Sequence, residues 1–200
     1  PGTDGDKQYD YIVSNADLEK TSDPGQFLMA CKKLLKEDGH LLLAVNNRFG
    51  LKYFCGDRDP YTDRNFDGIE DYKRAYGNAN DTFSGRCYSK AELQKMLSEA
   101  GFEKVKFYSV LTDLDNPSLI YAEDFLPNED MTNRVFPTYH YKDTVFLEEA
   151  GLYNGLIENG MFHQMANAYL IECTVSGKLS DVCHAVSYTH LRAHETDSYL

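Results

Sequence analysis

Two groups of polar side chains in this 200-residue chain fall where a folded α/β sheet would present them to a ligand. Ser14 and Asn15 end the apolar run YDYIVSN (Tyr9–Asn15), with Ala16 next. Asn46, Asn47 and Arg48 follow the run HLLLAV (His40–Val45). If both runs are buried parallel strands, these groups share one edge of the sheet. That edge lies outside the carboxyl ends of the strands, where open α/β sheets bind ligands. Side-chain amides and a guanidinium suit a partner rich in hydroxyls or phosphate. Further along, Tyr53 and the FDGIEDY segment, with Asp67 and Tyr72, add flat rings and a carboxylate suited to sugar hydroxyls. Each group also has a plainer reading. Ser14, Asn15 and Ala16 can form a simple turn, Asn46 and Asn47 can satisfy loop backbone groups, and Asp67-Gly68 can cap a turn. His140 and His163 lie among aromatics, where a lone histidine is more often structural.

Positioning these groups requires a sheet, and the chain supplies its elements in order. After the first strand, Ser22-Asp23-Pro24 reads as a helix start, with a capping side chain and proline in the first turn. Phe27, Leu28, Cys31, Leu34 and Leu35 then repeat at helical spacing, and Lys32, Lys33 and Lys36 suit the negative end of the helix dipole. Gly39 is expected to stop this helix before the second strand begins at His40. Strand, helix, strand in about forty residues is a βαβ unit with a right-handed crossover. Ser89 and Glu92 form an S-x-x-E capping box for a second helix faced by Leu93, Met96, Leu97 and Ala100, ended by Gly101. Val105, Phe107 and Leu111 mark a third strand, and Ala168–Val175 a fourth. Phe146, Ala150, Tyr153 and Ile157 predict a third helix over Asp143–Glu158. Two stretches, Asn46–Tyr88 and Thr112–Tyr141, show neither period. Loops this long in a compact domain are usually functional or disordered, and their aromatic content argues for ordered lids.

The composition sets outer bounds. A hydrophobic share of 42% and a charged share of 26% describe an ordinary folded domain rather than a disordered chain. A net charge of −12 disfavours a nucleic-acid partner, whose backbone is bound by clustered lysine and arginine. No apolar run approaches the ~20 residues of a membrane-spanning helix, and PGTDGDKQYD lacks the regions of a signal peptide. A cytoplasmic location is the expectation. The five cysteines are scattered without a CxxC pair, and the histidines do not join them at zinc-ligand spacing, so no metal site is expected.

The run YDYIVSNADLEKTSDPGQFLMACKKLLKEDGHLLLAVNN resembles a class I S-adenosylmethionine-dependent methyltransferase from its fourth strand to the end of its fifth. It carries a polar strand end, a Leu18-Glu19 pair, an Asp-Pro-led helix, a Leu-Leu-Lys-x-x-Gly turn and a hydrophobic strand. YSKAELQKMLSEAGFEKVKFY is similar to the helix and strand that follow, and NAYLIEC to the antiparallel seventh strand. NNRFGLKYFCG, FDGIEDY, IYAEDFLP and MFHQMANAYLIEC resemble a bacterial methyltransferase group encoded beside, or fused to, glycosyltransferases of surface-polysaccharide synthesis. The resemblance implies a partial Rossmann-like sheet of strands 4 to 7 with long loop insertions. It implies S-adenosylmethionine as cofactor, with Ser14, Asn15 and Ala16 near its methionine portion. A saccharide or related small polar acceptor would contact Asn46, Asn47, Arg48, Tyr53, Asp67 and Tyr72. A fused or neighbouring glycosyltransferase would be the partner.

There are departures. The family's first strand, its Gly-rich loop and its ribose-binding acidic residue have no counterpart here, so this stretch alone is expected to be inactive and not to bind the cofactor usefully. Lys20 stands where the family usually has histidine after the Leu-Glu pair, so no general base carries over. VSYTHLRAHET (Val186–Thr196) resembles one reading frame of a common sequencing adapter. Residues 1–8 are accordingly a lead-in, 9–185 the C-terminal part of one methyltransferase domain, and 186–200 an adapter-derived, disordered artefact. Two other functions compete. A short-chain dehydrogenase or epimerase needs Tyr-x-x-x-Lys, and none of the fifteen tyrosines has lysine four residues on. A non-catalytic accessory domain of a glycosyltransferase stays open.

Overall fold

The computed structural model describes residues 8–180, together with the backbone of 185–187. Strand β1 (Tyr9–Asn15) pairs in parallel with β2 (Leu35–Asn46), through the short helix α1 (Asp17–Lys20) and the crossover helix α2 (Pro24–Leu34). Asp23 caps α2 by accepting from the Gln26 amide at 2.9 Å, with Pro24 at the first helical position. The helix stops at Leu34, five residues before Gly39. Leu35 is already extended and opposite Tyr9, with a register shift before the next pair, Tyr11 and His40. Leu28 and Cys31 face the core, whereas Leu34, expected there, is 41% exposed.

Helix α3 (Leu51–Phe54) is a single turn after β2. Helix α4 (Lys90–Ala100) starts on the expected capping box, and Gly101 closes it at φ 84°, a left-handed conformation that glycine adopts without a Cβ penalty. Next come β3 (Lys104–Thr112) and β4 (Pro117–Ala122), an antiparallel pair. β4 lies inside the Thr112–Tyr141 stretch, where no strand was expected. The helix expected over Asp143–Glu158 is only its last part, α5 (Tyr153–Glu158), preceded by 3-10 turns at Lys142–Thr144 and Glu149–Leu152. The Phe146 and Leu147 amides donate to the Cys55 carbonyl, at 2.9 and 3.4 Å, instead of continuing a helix, and the Phe146 ring is 63% exposed.

The closing strand β5 (Ala168–Thr174) inserts between β2 and β3, antiparallel to both, as the resemblance implies for its seventh strand. The sheet order is β1-β2-β5-β3-β4-β6, where β6 (Ala185–Ser187) pairs with β4. Val186 and Ser187, expected to be disordered, therefore pair as a strand. The rest of the adapter-like stretch lies outside the described residues.

One core holds the sheet and helices together. Leu28 of α2 and Leu93 and Leu97 of α4 meet Leu41 and Leu43 of β2, Phe107 of β3 and Ile171 of β5. Burying each such side chain contributes roughly 1.5–3 kcal/mol. This packing fixes the edge where β1, β2 and β3 end and β5 begins. Among the described residues no helix is long and apolar enough to cross a membrane.

Candidate active site

The loops leaving that edge enclose a cavity of about 430 Å³. Its floor is Asn15 at the end of β1, Ala16 just after it, and Asn46 at the end of β2. Lys20, Lys52, Tyr61, Asp113, Tyr139 and His140 line the rest of it. The two aperiodic stretches thus meet over one space. They are tied together by Asp57, which is fully buried and accepts the His140 and Tyr141 amides at 3.0 and 2.7 Å. Arg58 adds its guanidinium 3.8 Å from the centre of the Tyr141 ring. The Asn46–Tyr88 loop closes on itself where Asn47 bridges Tyr88 and the Arg48 amide donates to the Tyr88 carbonyl at 3.2 Å.

Two residues at or beside the cavity hold left-handed backbone, as do Asp63, Phe66, Asp71 and Tyr72 of the Asn46–Tyr88 loop. Ala16 is left-handed at φ 59° and its amide donates to the Ala44 carbonyl at 2.9 Å. Thr112, one residue before Asp113, is left-handed at φ 78°, and its hydroxyl donates to the Asn116 carbonyl at 2.6 Å. Each such residue costs on the order of 1–3 kcal/mol and persists only where its surroundings hold it.

The charged wall is an ion pair. Lys52 is 3% exposed and its ammonium donates to Asp113 Oδ2 at 2.9 Å. Burial pushes the Asp113 carboxyl up, but the Lys52 charge and hydrogen bond outweigh it and hold the group below its usual range.

Behind Tyr61 and Asn46 lies Glu19, fully buried. Its carboxylate accepts the Tyr61 hydroxyl at 2.5 Å, the Asn46 side-chain amide at 3.1 Å and the Asn46 backbone amide. Burial pushes this carboxyl up to about 7, against the lowering effect of those hydrogen bonds.

The expected site residues separate into two sets. Asn15, Ala16 and Asn46 line the cavity. Ser14 is 4% exposed, its hydroxyl donating to Asp17 at 3.0 Å. Asn47 is fully buried and spans Gln164, Ala166 and Tyr169. Tyr53 is buried beside Cys87, its hydroxyl 4.0 Å from the thiol. Asp67 is fully buried between Arg64 at 2.9 Å and Arg74 at 3.2 Å. The Tyr72 hydroxyl donates to Asp59 at 2.6 Å and accepts the Cys87 amide at 2.7 Å. In this arrangement Asn47, Tyr53, Asp67 and Tyr72 build the loop that carries the cavity wall. Their hydrogen-bonding atoms are turned inward because a loop this long must satisfy its own polar groups. His163, expected to be structural, is held between the Ser109 hydroxyl and the Phe125 carbonyl.

Arg48 also points inward. Its guanidinium donates to Glu92 at 2.7 Å and to the Gly68 carbonyl at 3.0 Å, joining the loop to α4. Arg48→Ala is therefore expected to lower stability by about 1–3 kcal/mol, since both are partly buried bonds from a charged donor. A urea unfolding midpoint shows it; an unchanged midpoint returns Arg48 to a ligand-contacting role.

Lys52, Tyr61, Asp113 and Tyr139 were not singled out from the sequence, and Lys20 was noted only as standing where the family usually has histidine. Only Lys52 left a signal, a lone cation in the otherwise apolar turn LKYF. Asn15 and the left-handed Ala16 open onto a polar cavity large enough to admit part of a nucleoside-linked amino acid, so the residues present fit the methionine end of S-adenosylmethionine. Among the described residues no cluster of His, Cys, Asp or Glu is arranged to hold a metal.

Comparison with known proteins gives the following. Solved structures similar to this chain include a S-adenosylmethionine-dependent methyltransferase of Thermotoga maritima, 17% identical, covering 85% of this chain and 57% of that one at a TM-score of 0.44. Another, from Archaeoglobus fulgidus, is 16% identical, covering 84% of this chain and 60% of that one at a TM-score of 0.42. The chain thus spans less than two thirds of either solved protein. No curated protein sequence matches it. A family model described as a methyltransferase domain matches residues 2–106, more than half of the 200. This match takes in β1, α2, β2 and α4, the elements that hold the floor of the cavity, and by it the chain belongs to the methyltransferase domain family.

Proposed function

We propose that the chain forms the acceptor half of an S-adenosylmethionine-dependent methyltransferase that modifies a saccharide or related polar hydroxyl compound. Its setting would be surface-glycan synthesis, beside or fused to a glycosyltransferase. The observation that carries this reading is the cavity wall itself: an amide, a lysine–carboxylate pair and two phenol rings around one space at the carboxyl ends of β1 and β2. Flat rings cover the apolar face of a sugar, while amide and ion pair answer its hydroxyls. The bound cofactor supplies an already activated methyl group. The protein's part is then to hold the acceptor in line with that methyl, and alignment can account for several kcal/mol of the barrier. Asn15 and Ala16 would hold the methionine end, and Asn46 and Lys52 the acceptor.

The test uses the full-length protein with radiolabelled S-adenosylmethionine and a panel of free and nucleotide-linked hexoses. Label is expected on a hexose. Lys52→Met should raise the acceptor KM about tenfold or more, the loss of roughly 1.4 kcal/mol of binding, and leave cofactor affinity within about twofold. Cofactor binding without transfer to any panel member would favour the accessory-domain reading instead.

A further inference from the structure

Glu19 is an oddity of this fold. A carboxylate with no solvent exposure usually keeps its charge through a cationic partner, because an unpaired buried charge is costly. Its hydrogen-bond partners are the Tyr61 hydroxyl, the backbone and side-chain amides of Asn46, and the Cys87 thiol at 3.8 Å. All are neutral. The other titratable groups that interact with it are Asp59, Tyr53 and Tyr88, and none of them adds positive charge; Lys52, whose charge reaches the neighbouring Cys87, is paired with Asp113. Two of the partners, Tyr61 and Asn46, line the cavity.

Tyr61 is also held firmly. Its amide donates to Asp59 at 2.9 Å, and its carbonyl accepts the Ser84 hydroxyl at 2.9 Å. Its ring lies against Gly85, where an added Cβ would come within 2.4 Å of the ring at a backbone φ of +134°. That glycine lets the ring sit against the backbone, which keeps the hydroxyl on Glu19.

We propose that Tyr61 and Glu19 form a proton relay serving an acceptor hydroxyl in the cavity, which makes the acceptor an alcohol rather than an amine. This rests on the methyl-transfer reading above. The acceptor oxygen uses a lone pair to form the new O–CH3 bond, the sulfonium S–CH3 bond breaks, and its electron pair stays on sulfur. The acceptor's proton passes to the Tyr61 oxygen as the phenolic proton passes to Glu19, which later releases it to solvent. An amine already carries a free lone pair when neutral, whereas an alcohol becomes a better nucleophile as its proton leaves. Tyr61 is the catalytic residue of the two, and Glu19 a positioning residue and proton store. The carboxyl of Glu19, raised to about 7 by burial, suits a group that takes up and returns a proton near neutrality.

The experiment is a pH profile of kcat/KM for full-length wild type, Glu19→Gln and Tyr61→Phe, with S-adenosylmethionine and the hexose methylated in the panel above. Wild type is expected to rise with pH through about 7 as Glu19 ionises. Each variant should lower kcat by about a hundredfold, leave the acceptor KM within about threefold, and lose the rising limb. Should Glu19→Gln fail to fold, Tyr61→Phe decides, since it removes a single buried oxygen. A second measurement needs no turnover: 13C NMR of carboxyl-labelled glutamate should show Glu19 titrating near neutrality. A Glu19 signal titrating with surface carboxylates at about pH 4 overturns the relay. So does an unchanged rising limb in active variants, which leaves the methyltransferase reading standing. Wild type that transfers no methyl to any panel compound overturns that reading and the relay with it.

Discussion

Asn47→Ala is expected to destabilise the protein by about 3 kcal/mol. Asn47 is fully buried where β2 leaves the sheet. Its amide group donates to the Gln164 carbonyl at 2.9 Å, the Ala166 carbonyl at 2.8 Å and the Tyr169 hydroxyl at 3.1 Å, and its carbonyl accepts the Phe49 amide at 3.1 Å. Alanine would strand the buried Ala166 carbonyl, at about 1–3 kcal/mol, and remove the partner of the part-buried Phe49 amide. The Tyr169 hydroxyl keeps the His163 carbonyl at 2.7 Å, so it adds little to the loss. In a chain of this size 3 kcal/mol lowers the melting temperature by roughly 6–12 °C, within reach of calorimetry. Asn47→Asp should do nearly as much harm, because a carboxylate can still accept from Phe49 but offers nothing to two carbonyls. If Asn47→Ala melts like wild type while its acceptor KM rises, the side chain contacts ligand and the buried knot has been misread.

The legibility of this chain follows from where its polar groups find partners. α2 and α4 were legible because their caps and apolar faces are local: Asp23 and Pro24, then Ser89 and Glu92, act within one turn of themselves. β1, β2 and β5 were legible as apolar runs, and the antiparallel placement of β5 came from the family resemblance. The end of α2 was misplaced because Gly39 looked like a stop, yet the chain turns at Leu35 to pair with Tyr9, a contact made 26 residues back. The helix expected from Asp143 failed for the same reason, since the Phe146 amide is taken by Cys55, far away in sequence. At the site, residue type was a poor guide. Asn46 and Asn47 are neighbours of the same type, but Asn46 lines the cavity and Asn47 is sealed inside. Tyr61, Lys52 and Asp113 reach the cavity because two long loops fold onto each other through Asp57. No local pattern encodes that meeting.

Glu19→Gln is expected to flatten the pH dependence of stability between about pH 4.5 and 7, and to be the more stable protein, relative to wild type, as pH rises. Burial raises the folded-state carboxyl of Glu19 from 4.5 to about 7. Below 4.5 it is protonated in both folded and unfolded chains, and its contribution is fully present. Between 4.5 and 7 the unfolded chain releases the proton while the folded one holds it, so stability falls with rising pH and levels off above 7. A gap of about 2.5 pH units corresponds to on the order of 3 kcal/mol. Asp113 and Glu92 act in the opposite direction: their carboxyls are held low, so their stabilisation is lost as pH falls. Asp59 and Glu149, raised by burial, act in the same direction as Glu19. Asp113, Glu92 and Glu149 are common to both proteins and largely cancel in the difference, while Asp59, which repels the Glu19 charge, shifts together with it. Urea unfolding of the pair at pH 4.5, 6 and 8 therefore isolates Glu19 together with its coupling to Asp59. A stability difference that stays constant with pH would mean that Glu19 ionises as an ordinary carboxylate. A widening one would mean that at pH 8 the fold holds an ionised carboxylate against the cost of burying it. Tyr61 and Asn46, which donate to that carboxylate, are the two cavity-lining residues that offset part of this cost.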